Sequence, residues 1–596
     1  MNIHRILSRA ALFASAAGTT LTLASLPAAE PPRIAWIDIE GSPRDRPSEL
    51  AWLMGSAEPT MRETIDALRA LATDAECRGA VIRLKDAELA PAQVEEIGAA
   101  IASVRKAGKK VHIFSESYGN TGLMLAAHAD EVILQSGGEV SMPGLYMEEM
   151  FLADTLAWAG VKADFVQIGD FKGAAEQLAR SAPSEAWEEN INQLLDQMYT
   201  RLREPIMKGR NLTGEQLDKA MLAAWMADGS EAIKAGLIDS QVDLPRLSAH
   251  LGEEYGGSVT ISKREIGSKG TSVDATNPFA MMAALTKEPK HKPTKPTIAV
   301  LHIDGQIVDG DSSAGFGGQS VGSRTIRNAL EDILAEDLIK GVVVRIDSPG
   351  GSAVASEIMW QGVRRVAEKK PVWVSVGGMA ASGGYYLAVA GDRVYVNPSS
   401  IVGSIGVVGG KLAMQGLYDK LKMNVVGRGR GPRAAMLDSS QPWNADDRAL
   451  VAGKMKGTYD LFARRVTAGR KGIDLSRTAE GRLFTGTVAI DLKMADKIGG
   501  LEVALADMAD SLSLKDYAVM DYPGPKSLSE VLEDALSGFI AAPAVASPPM
   551  TEQMFGVARE ALGPRAWKQL SPQLKALLTL RDEPVILVAP RALIWK

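Results

Sequence analysis

Short apolar runs alternate along this chain with stretches whose apolar residues recur every three to four positions. Residues 33–41 read RIAWIDIEG and residues 79–84 read GAVIRL, with a helical spacing from Arg62 to Ala72 between them. The same order of signals returns later as TIAVLHIDG over 297–305, a helical spacing from Thr325 to Leu334, and GVVVRI over 341–346. Further on, LAAHADEVIL matches LAVAGDRVYV and sets Asp130 against Asp392, 262 positions apart, the same separation as Gly79 and Gly341. The chain is therefore read as two copies of one unit.

Within the second copy, VVVRIDSPGG predicts a buried strand running into a glycine-rich turn, and SAVASEIMWQGVRRVAEK the helix after it. PVWVSV is the next strand, and SGGYYLAVA opens the next helix. Short strands alternating with amphipathic helices predict an α/β fold with strands packed between helices. The copies span 30–256 and 297–513, joined by 257–296, whose GSKGTSVDATNP and KEPKHKPTKPT are a linker by composition. Its Lys287, Lys290, Lys292 and Lys295 suit a solvated tether, with contact to an anionic membrane surface as the second reading. Residues 514–596 form an extension, through AAPAVASPP to PVILVAPRALIW, to which the sequence assigns no chemistry.

Charge and composition narrow the function. The 596 residues carry 66 Lys+Arg against 72 Asp+Glu, a net charge of -6 that suggests no nucleic-acid partner. One cysteine, Cys77, excludes an internal disulfide and reads as a small residue near a helix end; with six histidines, no clustered Cys/His metal site is expected. Arg5 and Arg9 precede an uncharged stretch from Ala10 to about Ala29. This reads as an export signal or a weak membrane anchor over 1–29. The working part is thus expected outside the cytoplasm, soluble or held at the membrane.

The candidate chemistry centres on Ser382, set among small residues in VGGMAASGGYY where a strand pattern gives way to a helix. Shifting by 262 lands on Asn120, so the first copy keeps the turn without the hydroxyl. A serine needs a base to remove its proton. His4, His112, His128, His250, His291 and His302 are scattered, with no evident carboxylate partner. The string GQSVG around Ser320 matches a nucleophile elbow, but DGDSSAGFG precedes it and a loop is expected. Lysine is the other economical base, since burial disfavours its charged form. Lys172, in ADFVQIGDFKGAAEQLARS, follows a strand pattern and precedes a helix, and the register puts Pro432 at its counterpart. One copy has lysine without serine, the other serine without lysine.

These residues resemble those of the long, tandem-repeat bacterial signal peptide peptidases, related in fold to the crotonase and Clp protease superfamily. The resemblance covers roughly residues 30–515 and rests on DSPGGSA (347–353), MAASGGYYLA (379–388), GSIGV (403–407) and GDFKGAAE (169–176). It implies two tandem crotonase/Clp-protease-like repeats, with Ser382 as nucleophile and Lys172 as general base. It further implies an oxyanion hole from Gly383 with Gly350 or Gly351, and Ser404 positioning the lysine. No cofactor or metal is implied. Peptide substrates, such as cleaved signal peptides, a homotetramer, and a place on the periplasmic side of the inner membrane are its further implications. Two other classes stay open: a peptidase-derived scaffold or chaperone whose dyad no longer meets, and a crotonase-like acyl-CoA enzyme.

Overall fold

The computed structural model describes residues 30–47, 59–267, 291–315, 318–436, 438–527, 530 and 585–588. The expected export segment and most of the expected linker and extension lie outside the described residues.

Each copy builds one mainly parallel sheet. In the first, the strands run Ala227–Asp228, Glu131–Val140, Lys110–Tyr118, Cys77–Lys85, Arg33–Glu40 and Thr260–Lys263, with Ser240–Val242 beside Glu131–Val140. In the second, the order is Leu483–Thr485, Ile401–Gly403, Val372–Ala381, Ile339–Ser348, Thr297–Asp304 and Ala518–Tyr522, with Arg393–Val396 and Lys497–Ile498 to one side. Ile339–Ser348 pairs in parallel with both neighbours, and Val342 to Ile346 are buried without interruption. A parallel strand covered on both faces is buried along its length in this way, and the one charged residue of this run, Arg345, is buried with carboxylate partners. Helices Met61–Thr73 and Ser323–Ala335 occupy the places their periodicity predicts. The duplication extends to detail: Asp130 accepts from Val111 N, and Asp392 accepts from Val372 N.

A third sheet joins the copies. Its order is Ser313–Gly315, Gly318–Gly322, Gln306–Val308, Gly350–Ser352, Val585–Val588, Val407–Ala413 and Lys162–Ile168. Lys162–Ile168 belongs to the first copy, yet all seven of its residues pair antiparallel with Val407–Ala413 of the second.

Two expectations change. Ser320 lies not in a loop but in the strand Gly318–Gly322, because Gln306–Val308 and Ser313–Gly315 pair with it on either side. Cys77 lies just past the end of the helix Met61–Thr73, as expected, and begins a strand in which it is buried. The strand expected over PVWVSV runs on to Ala381, past the glycines, with a register shift that sets Ile346 opposite Val376 but Ser348 opposite Ala380. Gly378 N donates to Asp347 Oδ2 across that irregularity at 3.0 Å.

Candidate active site

Ser382 closes this shifted strand and caps the helix Gly383–Ala388, at φ 53° and ψ −111°. For a residue with a Cβ this is a strained conformation. It is held from both sides: Ser382 N donates to Gly403 O at 2.8 Å, and Tyr386 N donates to Ser382 O at 2.8 Å. The side chain is buried. Its counterpart Asn120 is the first residue of the helix Asn120–Ala126 and donates through Nδ2 to Gly144 O at 2.8 Å.

Lys172 arrives from the first copy along Lys162–Ile168, whose end is aligned by the pairing of Ile168 with Val407. Phe171 N then donates to Glu480 O of the second copy at 2.8 Å. Gly481 leaves room for this crossing, because a Cβ there would lie 2.5 Å from Lys172 N and 2.6 Å from Lys172 Cα. The counterpart segment of the second copy contains Pro432, which is exposed in a turn.

The lysine amine meets three oxygens. Nζ lies 2.8 Å from Ser382 Oγ, 2.8 Å from Ser404 Oγ and 3.1 Å from Ser404 O. Lys172 is fully buried, and desolvation alone pushes its pKa well below the ordinary 10.5. A neutral amine has two N–H donors and one lone pair. With the donors spent on Ser404 O and Oγ, the lone pair is left for the Ser382 hydroxyl. Ser404 is itself fixed at φ 54°, and its N–H donates to Arg482 O at 2.6 Å.

The glycines expected to form the oxyanion hole lie against one another beside Ser382. A Cβ built on Gly383 would lie 3.2 Å from Gly350 Cα and 3.3 Å from Gly351 N. One built on Gly350, at φ 95°, would fall 2.6 Å from Gly383 N and 3.0 Å from Ala381 O. The Gly350 amide donates to Ser348 Oγ at 3.1 Å, and that hydroxyl donates to Gly305 O at 2.6 Å. Ser348 and Gly481 escaped the sequence reading, although Ser348 stands inside the DSPGGSA string. Nothing local to either residue announces its partner, since Gly305 and Lys172 are distant in sequence.

Three of the histidines, His112, His250 and His302, do have carboxylate partners, contrary to expectation. Glu131 accepts from both His112 and His250 at 2.7 Å, and His302 Nε2 lies 2.9 Å from Asp521 Oδ1. None of these pairs includes Ser382. His112, Glu131 and Glu254 hold possible ligand atoms within 4.8 Å of one another, but Glu131 already hydrogen-bonds His112, His250 and Ser240. Ser320, the other serine singled out, hydrogen-bonds Ser313 Oγ at 2.8 Å and has no base beside it among these contacts.

The model of peptidase family S49 matches the chain twice, over residues 103–255 and 364–515. "Protease 4" of Haemophilus influenzae is 28% identical over 493 residues, covering 79% of this chain and 77% of the relative. "Serine protease SPPA, chloroplastic" of Arabidopsis thaliana is 26% identical over 459 residues, 75% of this chain and 65% of the relative. "Putative signal peptide peptidase SppA" of Enterococcus faecium is 26% identical over 229 residues, 38% of this chain and 66% of the relative.

Proposed function

Because the chain belongs to peptidase family S49 and is a serine peptidase, we propose that Ser382 is its nucleophile and Lys172 its general base, one from each copy. The observation that carries this reading is the 2.8 Å approach of Lys172 Nζ to Ser382 Oγ in a buried setting. Lys172 takes the Ser382 proton as Oγ attacks the peptide carbonyl carbon. The oxyanion forms against the amides of Gly383 and of Gly350 or Gly351. Lys172 then returns the proton to the leaving amine, the C–N bond breaks, and an acyl-enzyme remains. A water, deprotonated by the same lysine, hydrolyses the ester and restores Ser382. Use of the Gly350 amide requires it to exchange its Ser348 partner for the oxyanion.

The substrates in this proposal are extended apolar peptides, with cleaved signal peptides supported by the names of similar proteins. Export to the periplasmic side of the inner membrane is supported by Arg5, Arg9 and the uncharged stretch after them. Among the described residues no helix is long and apolar enough to cross a membrane. A homotetramer is kept from the family resemblance. The scaffold reading requires a dyad held apart, so the short Lys172–Ser382 distance counts against it, and family membership counts against an acyl-CoA enzyme. Hydrolysis of a quenched apolar peptide by wild type, Ser382→Ala and Lys172→Ala tests the proposal. Each variant is expected to lose at least about 10^4-fold in kcat/KM while staying folded. Retained hydrolysis in either would overturn the assignment.

A further inference from the structure

The strand Val585–Val588 lies far along the chain from the catalytic groups, yet it pairs beside them. It runs antiparallel to Gly350–Ser352, with Ile586, Leu587 and Val588 opposite Ser352, Gly351 and Gly350. On its other side it runs antiparallel to Val407–Ala413, with Val585 and Ile586 opposite Gly409 and Val408. The two strands it separates are the one that carries Gly350 and Gly351 and the one that pairs with the strand leading to Lys172. Removing Val585–Val588 would leave two facing edges with unpaired amides and carbonyls, one strand apart. Such a slot is how an extended peptide is gripped through its main chain.

The occupant reaches the reacting groups. The atom nearest to where a Gly350 Cβ would stand is Leu587 O at 2.1 Å, and the next is Gly383 N at 2.6 Å. Both described side chains of the segment are buried, Ile586 at 1% and Leu587 at 0% exposure. Ile586 packs with Ala175 and Val408 against Phe165 and Ala174, close in sequence to Lys172, and Leu587 joins the large core of the second copy. Main-chain pairing on both edges and filled apolar contacts are what a bound substrate strand would make.

We propose that this slot is the substrate-strand site and that residues 585–588 fill it in cis, so that the full chain is held in a self-inhibited state. The occupant is extended, uncharged and aliphatic, and the peptides that displace it share that chemistry. The proposal rests on the reading of Ser382 as nucleophile, because only then does filling the slot block catalysis.

Two full-length variants, Leu587→Asp and Ile586→Asp, place a charge in the filled contacts and should expel the segment. Two readouts are compared with wild type: hydrogen exchange at Gly350–Ser352 and Val407–Gly409, and the rates of fluorophosphonate labelling and apolar-peptide hydrolysis. Faster exchange at both edges is expected, with both rates raised about tenfold by loss of an intramolecular competitor. A synthetic peptide spanning Asp582 to Pro590 should restore slow exchange and inhibit the variants competitively. Unchanged exchange, or faster exchange in a chain that does react but whose hydrolysis and labelling are no faster than in wild type, overturns the proposal. Exchange that rises while neither wild type nor variant ever reacts supports occupancy of the slot and overturns the Ser382 reading instead.

Discussion

At Ser382 the backbone stands at φ 53°, ψ −111°, and a conformation of this kind costs a residue with a Cβ about 1–3 kcal/mol. The bonds from Ser382 N and to Ser382 O keep it there. Since alanine retains the Cβ and glycine does not, Ser382→Gly should be more stable than Ser382→Ala by about 1 kcal/mol, although both are inactive. Chemical denaturation of the two variants checks this, and equal stabilities would show that the turn is unstrained. Lys172 makes a second residue-scale prediction. Burial pushes its pKa well below 10.5, so the folded chain binds fewer protons there than the unfolded chain at intervening pH. The stability deficit is full below the folded pKa and lifts as pH rises towards 10.5. Lys172→Met should therefore melt higher than wild type near neutral pH, with the gap closing in alkali. Both residues were legible in the sequence, because the two copies served as each other's control. Their approach was not, since it depends on how one copy docks on the other.

Elements carry the lysine to the serine. The antiparallel pairing of Lys162–Ile168 with Val407–Ala413 aligns the crossing, and the bond from Phe171 N to Glu480 O anchors its end. Gly481→Ala places a Cβ where the Lys172 backbone runs, at a φ of 94° that disfavours any side chain. A displacement of about 1 Å can cost roughly 10^2-fold in rate, so this variant should lose activity on that scale while remaining folded. Steady-state kinetics beside circular dichroism checks it, and a wild-type rate would mean the lysine is positioned otherwise. Helices and buried strands were legible from periodicity alone. The strand at Gly318–Gly322 was not, because its short, glycine-bounded stretch is defined by neighbours on both edges. Val585–Val588 was equally hidden, since four apolar residues do not disclose their partners.

The whole molecule is a duplication in which equivalent positions have taken different work. Arg83 of the first copy pairs with Glu116 at the protein's edge, with Nε 3.1 Å from Oε1. Its counterpart 262 positions on, Arg345, is buried between the copies with Nε 2.7 Å from Asp45 Oδ2 and a guanidinium nitrogen 2.8 Å from Glu96 Oε1. Desolvation raises the Asp45 pKa most strongly, but the Arg345 charge and hydrogen bond together with the nearby His302 leave the carboxyl below its ordinary range. Removing the arginine strands the buried carboxylate of Glu96 and the partly buried one of Asp45, which costs about 3–5 kcal/mol. Arg345→Met should lower the denaturation midpoint accordingly and loosen the docking that brings Lys172 to Ser382; an unchanged midpoint would show that the copies are held elsewhere. The sequence marked Arg345 only as part of a buried strand, and its carboxylate partners Asp45 and Glu96 lie 300 and 249 positions earlier in the chain.

The central claim is that a neutral lysine from one copy activates a serine of the other. Its most direct test is the rate of fluorophosphonate labelling against pH, with the labelled residue mapped by mass spectrometry, in wild type and Lys172→Met. The label should fall on Ser382, at a rate that rises with pH through a midpoint well below 10.5 and is lost in Lys172→Met. A label on another residue, or a Lys172→Met chain that reacts as fast as wild type, would contradict it.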